Sequence, residues 1–237
     1  MTPQNQPRYN PQGLPDVLPI GGNRADYQRM QSRLESGDVV MTDGYLRCET
    51  AALASATSFS FDVSDKATLN SINEKRLSQN DAFLATDVFI GLSIRLTTDA
   101  VSSARLVTFD NDKLFTTSAS LNAVRALYNG NIHVRMNSTV LVDSIDVMSC
   151  YRADTAQAGQ AISSVATTGI QGSSFWGQNY AFKHLTPNWL FNGTANNQVL
   201  VNLPENVTFT LATFTITAVC LLRGWKLQNG GTQRTQR

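Results

Sequence analysis

The sequence predicts an all-β chain folded as a β-sandwich, and three observations carry that prediction. Long stretches alternate apolar and polar residues with a period of two. Prolines crowd the first 22 residues and are nearly absent after them. The polar residues are mostly uncharged. Alternation of this kind marks strands that pack one face and turn the other outward.

Residues 1–22 hold five of the seven prolines, Pro3, Pro7, Pro11, Pro15 and Pro19, one at every fourth position. Proline fixes φ and removes a backbone donor, so neither a helix nor an interior strand is expected there. The segment reads as an extended arm hinged at Gly21-Gly22. Its apolar anchors Leu14, Val17, Leu18 and Ile20 cluster at the end nearest the domain and are the candidate subunit contacts. A short helix follows, with Asn23 as cap, Tyr27, Met30 and Leu34 on one face and Gly37 as its stop.

Strand signals come next. Leu84, Thr86, Val88, Ile90, Leu92, Ile94 and Leu96 keep an even phase. Ile132, Val134, Met136, Ser138, Val140 and Val142 do the same after the Asn129-Gly130 turn. A third run starts with Val207, Phe209 and Leu211, then shifts to Phe214, Ile216, Ala218, Cys220 and Leu222, which reads as a β-bulge. Shorter candidates at 58–63, 104–109, 113–117, 179–183 and 198–203 bring the count to eight. Helical insertions are expected at 120–128, capped by Ser120, and more weakly at 65–78, started by Asp65. Residues 152–177 are small and without period, a long excursion.

Eight strands with a mid-chain helix describe a jelly-roll sandwich, a single roll rather than the roughly sixteen strands of a double one. The expected organisation is an arm over 1–22, a jelly-roll domain over 23–228 and a flexible polar tail over 229–237. The expected core contains Val88, Ile90, Leu92, Ile94, Val134, Phe209, Phe214 and Ile216, with Phe89, Gly91, Ser93 and Arg95 facing outward.

Composition narrows function. Lys and Arg number 19 against 18 Asp and Glu, a formal net charge of +1, and only 16% of residues are charged. An average soluble domain carries about 25%. Ser, Thr, Asn and Gln together make up 77 of 237 residues. A nearly neutral chain lacks the basic field of a protein that grips nucleic acid broadly. The start of the chain shows no secretory signal, and the apolar stretch 218–222 is far below the ~20 residues of a membrane span. Cys48, Cys150 and Cys220 are too scattered for a disulfide framework or a zinc site, and Cys220 is expected to pack as a small hydrophobe.

No catalytic constellation stands out. His133 falls on the polar side of its strand beside Arg135, and His184 follows Phe182-Lys183 near a strand end. Asp110-Asn111-Asp112 reads as an Asx-type turn, since the further ligands and glycine of a calcium loop do not follow. Asp143 and Asp146 read as a strand end entering a loop. The large aromatics, Phe175-Trp176, Trp189 and Trp225, are dispersed, and burial or subunit contact is the commoner fate of tryptophan. The expectation is a non-enzyme with no cofactor and no metal.

The proline-rich arm, the eight-strand roll with long loops, the mid-chain helix and the Thr/Asn-rich surface resemble the jelly-roll capsid proteins of icosahedral viruses, in particular the coat or vertex proteins of tailless bacteriophages. The resemblance is one of architecture and covers residues 1–228. It implies a self-assembling capsid subunit located in the virion, whose partners are further copies and other virion proteins. Arg234 and Arg237 on the tail are the candidate contacts with a genome or an inner membrane. The alternative is a carbohydrate-binding or adhesion-type sandwich module. A cupin-like enzyme would need a histidine-rich metal site that two distant histidines do not make.

Overall fold

The computed structural model describes residues 18–21, 24–52, 55–65, 69, 72–100, 104–110, 115, 117–152, 181–209 and 214–231. Among them are helices α1 (Arg24–Glu35) and α2 (Ser118–Tyr128) and a 3-10 turn at Val147–Cys150. The first strands are β1 (Val40–Ala51), β2 (Ala56–Asp62), β3 (Ala82–Leu96) and β4 (Arg105–Val107). After α2 come β5 (Asn131–Met136), β6 (Thr139–Asp146), β7 (Lys183–Asn192), β8 (Asn197–Val207) and β9 (Phe214–Gln228).

Two antiparallel sheets result. One has the order β1-β9-β3-β4, with β7 also paired to β3; the other has the order β2-β8-β5-β6. β7 and β4 divide β3 between them, β7 pairing with residues 82–88 and β4 with 92–94. Leu46, Phe83, Val88, Ile90 and Leu222 of the first sheet meet Phe59, Phe61, Ile132, Val134 and Val199 of the second in one core. The chain is an all-β sandwich. α2 adds Val124, Leu127 and Tyr128 to the same core. Its cap is Thr117 rather than Ser120: the Thr117 side chain accepts the Ser120 N–H at 3.2 Å.

The expected core is buried except for Phe214, which is half-buried against it. The single even phase expected for β3, however, is broken at Thr86. The register of β3 with both β7 and β9 slips between Ala85 and Asp87. Before the slip, Phe83 and Ala85 face the shared core while Ala82 and Leu84 pack outside with Tyr27, Met30, Val39 and Leu227. After it, Val88, Ile90, Leu92 and Ile94 face the core, and Phe89 packs outside with Leu106, Ala181 and Val219. A bulge exchanges the two faces of a strand, so Leu84 and Leu92 lie on opposite sides of the sheet. The expected outward set is corrected in the same way. Phe89, Gly91 and Ser93 point away from the core but are buried, because that face is covered too; Arg95 is half-buried.

Gly224 makes the slip possible. It stands opposite Ala85 on β3 and Gly44 on β1, and a Cβ there would lie 2.0 Å from the Leu84 carbonyl oxygen.

Other readings change with the pairing. The third run is two strands, not one with a bulge, since β8 ends at Val207 in one sheet and β9 begins at Phe214 in the other. The second run is a hairpin, β5 turning into β6 at Asn137-Ser138 with φ of 48° and 72°. A two-residue turn preserves parity, so counting periods passes straight over it. β1 has no counterpart among the expected strands; its core contacts Leu46 and Cys48 sit among Asp43, Gly44, Arg47 and Glu49. β7 runs on to Asn192 through Pro187, which falls on the far side of the register slip, where the ladder to β3 is interrupted.

Expected strand 113–117 lies largely outside the described residues, and Thr117 caps a helix instead. The weaker helix expected at 65–78 is also corrected, because Lys75 and Leu77 form β-bridges. The excursion 152–177 lies outside the described residues beyond Arg152. At the tail, the Asn229 N–H donates to Asp81 Oδ1 at 3.0 Å and the Gly231 N–H to the Asn80 carbonyl at 2.9 Å, so the packed domain reaches Gly231.

Two glycines separate steric from conformational cost. Gly224→Ala is expected to destabilise the domain by at least ~2 kcal/mol, because packed backbone must move. Gly37, with φ +81° and open space around it, should cost only about 1 kcal/mol on the same substitution. Urea unfolding of the two variants measures both.

Candidate subunit interface

Free strand edges decide what a sandwich can associate with. On one side, residues 74–77 form a strap. Arg47 and Lys75 exchange backbone hydrogen bonds of 2.9 and 2.8 Å across the outer edge of β1. The Leu77 N–H donates to the Val63 carbonyl, and the Asp65 N–H to the Leu77 carbonyl, each at 2.8 Å, just past the end of β2. Buried charge fixes the strap. Glu74 takes Arg76 Nη2 on both carboxylate oxygens at 3.1 Å and accepts the Glu49 N–H at 2.8 Å, while Arg47 Nε donates to Glu49. The Arg76 and Glu74 side chains are 2% and 0% exposed, so the pair is desolvated and each charge depends on the other. Lys75 also lies over the exposed Tyr45 ring, 4.3 Å from its centre.

On the opposite side stands the root of the arm. The Ile20 N–H donates to the Asn188 carbonyl and the Leu190 N–H to the Ile20 carbonyl, both at 2.8 Å, a parallel bridge to the outer edge of β7. The Ile20 side chain is half-buried against the core, Pro19 is buried, and Leu18 is 43% exposed. Gly21 has φ +92°, and a Cβ there would come within 2.7 Å of the Leu190 carbonyl oxygen, with Met136 and Leu141 of the β5–β6 hairpin beside it. Of the four candidate contacts, Ile20 therefore docks on its own chain, Leu18 stands at the surface, and Leu14 and Val17 lie outside the described residues, as do Arg234 and Arg237.

Two terminal strands, β2 and β6, show no backbone partner on their outer edges among the described residues. β2 exposes Thr57, Ser58 and Ser60; β6 exposes Val140 at 46% together with Thr139, Asp143, Ser144 and Asp146, and the arm root lies beside its hairpin. Elsewhere, the outer face of the first sheet carries a depression of about 460 Å³ lined by Ser93, Arg95, Thr215 and Thr217, with the strongly exposed Ile72 at its rim. Glu49, Ala51 and Ile216 also line it, so charged, hydroxyl and apolar groups share the depression.

The titratable groups are engaged in structure. The Cys48 thiol is pushed up to about 12 by burial and by nearby Glu74, and burial also raises Cys220 and Cys150, so none of the three is a ready thiolate. His184 Nδ1 lies 3.2 Å from Asp87 Oδ1, and His133 Nδ1 lies 3.9 Å from Asp143 Oδ1. Among the described residues no group of three or more His, Cys, Asp or Glu side chains could hold a metal ion, and no helix is long and apolar enough to cross a membrane. Asp110 accepts from Arg125 Nε at 2.6 Å and from the Tyr151 hydroxyl, tying α2 to the segment after the 3-10 turn. Trp189 is buried in the core, and Trp225 packs near α1.

No protein-family model matches the chain, and no curated protein matches it in sequence.

Two outcomes follow from the ion pairs. Glu74→Ala leaves Arg76 buried without its carboxylate and should cost ~3–5 kcal/mol, read from denaturant midpoints. Burial works to raise the Asp110 carboxyl, but its bonds to Tyr151 and Arg125 outweigh that and hold it below the usual range. A depressed carboxylate stabilises the fold above its unfolded value of about 3.9, and that contribution is lost as pH falls through the lower folded value. Asp110→Asn should thus be less stable than the unchanged chain at pH 7, with the gap closing in strong acid; thermal melts across pH 2–7 (roughly the range in which carboxylates titrate) test this.

Proposed function

We propose that the protein is a self-assembling structural subunit of a virion shell, a coat or vertex protein built on a single jelly roll. The observation that carries this reading is the nesting of the strand pairs. With the short β4 set aside, β1 pairs with β9, β2 with β8, β3 with β7 and β5 with β6. First meets last, second meets second-last, and so inward. This is the pairing of one long antiparallel ribbon, which rolls up when β3 also meets β9 and β5 also meets β8. Such nesting supports the jelly-roll reading, and jelly rolls form domains of viral capsids, some lectins and cupins.

Three features favour the shell over the other uses of this roll. The outward faces are rich in Thr, Ser and Asn, which desolvate against a neighbour at less cost than charges. The described tryptophans are packed within the domain rather than arrayed as a sugar-binding platform. Seventeen residues precede the docked root of the arm, a length suited to clasping another copy. In this reading other virion proteins are further partners, and Arg234 and Arg237 touch the genome or an inner membrane.

Light scattering coupled to size exclusion tests the proposal. A particle or ring of many copies is the expected result, and a monomer at every accessible concentration would overturn it. Deleting residues 1–17 should leave a domain with an unchanged melting temperature, since Ile20 and Gly21 remain in place, but one that no longer assembles or assembles to the wrong size.

A further inference from the structure

Resting on that assembly reading, we infer that the arm acts as a one-edged β-strand, and that residues within 1–17 add to the open edge of β6 in a second copy of this chain. In an extended strand the N–H and C=O of one residue point to one edge and those of the next residue to the other. Ile20 directs both groups at β7. Carried along the arm, that phase is the even one: Thr2, Gln4, Gln6 and onward to Leu18, every one with its N–H intact. All five prolines, at 3, 7, 11, 15 and 19, fall on the odd phase. One edge of the arm keeps its full set of donors, and the other is interrupted at every second position. A polyproline helix has three residues per turn and would spread prolines at four-residue spacing around its axis, sparing no edge. Side chains follow the same parity. Pro3, Pro7, Tyr9, Pro11 and Val17 share one face, and Gln4, Gln6, Arg8, Asn10 and Gln12 share the other.

The receiving edge is chosen by what is already covered. The 74–77 strap bridges β1, and Ile20 bridges β7. Arg152 and Thr108 exchange hydrogen bonds just past β4. Of the edges left open among the described residues, β4 is only 3 residues long and β2 exposes only small polar side chains. β6 exposes Val140 beside Thr139, Asp143, Ser144 and Asp146, and the arm root emerges against its own hairpin at Met136 and Leu141. In a symmetric contact each copy then offers its β6 edge close to where the partner's arm departs. β6 is 8 residues long. Pairing along it leaves about nine of the seventeen arm residues, a reach of up to ~30 Å, enough to leave one domain for the next. The prolines on the far edge then stop a further strand from adding, so the contact closes instead of propagating.

The test moves the block from one phase to the other in the full chain. Gln6→Pro with Gln12→Pro removes donors from the bonding edge; Asn5→Pro with Gly13→Pro removes donors from the edge already interrupted. Both pairs lie outside the described residues. The concentration for half-assembly should rise about tenfold or more in the even-phase variant and by less than about twofold in the odd-phase variant. Hydrogen exchange should show the β6 amides that face away from β5, and only those, protected in the assembled chain and released in the even-phase variant. Equal effects of the two variants, or unprotected β6 amides in an assembled chain, overturn the inference and leave assembly standing. Protection of β6 in a chain that stays monomeric overturns the second-copy partner. A monomer with unprotected β6 amides overturns both the inference and the assembly reading.

Discussion

The pairing of β3 with β9 is the contact on which the other parts of the domain rest. The two strands hold fourteen registered pairs, from Ala82–Leu227 to Leu96–Phe214, and β3 is buried on both faces along most of that length. A strand buried on both faces must be covered twice, which requires three apolar clusters instead of one. The shared core lies between the sheets, α1 closes one end of the outer face, and Ala181 with Phe182 and Leu106 closes another part of it. The slip at Thr86 divides the outer cover between the latter two. It also lets Leu84 serve the helix and Leu92 serve the core without a change in strand direction. Since apolar burial is the main stabilising term, the fit of Gly224 against Leu84 and Ala85 governs how much of it the first sheet can realise.

Edges are the second constraint. A two-sheet sandwich has strands at its margins that would otherwise offer bare backbone. Here the chain covers them by different means. Beside β1 it uses a strap held by the buried Glu74–Arg76 pair, whose geometry is specific because neither charge has water to fall back on. Beside β7 it uses one residue of the arm, Ile20, in a single bridge. What is left uncovered among the described residues is chiefly β6, where Val140 is exposed beside Thr139, Asp143, Ser144 and Asp146, and the face around Thr215 and Thr217, which also carries Glu49 and Arg95.

By itself, the sequence determined the class of fold, the helix ended by Gly37, the buried set from Val88 to Ile94 and the packing of Cys220. These follow from short-range rules, a period of two and a glycine with positive φ, which act within a few residues. It could not reveal that β5 and β6 are two strands, because a two-residue turn leaves parity unchanged, nor that β8 and β9 belong to different sheets. β1 escaped notice because its inward positions are shared among Leu46, Cys48 and Gly44, whose apolar signal is weak. The tertiary structure alone decided which face of β3 meets which cluster, because the register slip is set by Gly224 of a strand well over a hundred residues away. It alone decided that Ile20 belongs to its own domain, and that Glu49, Glu74 and Arg76 meet. Those outcomes depend on where distant backbone comes to lie, and no local pattern encodes the distance between two strands that are joined only by the fold.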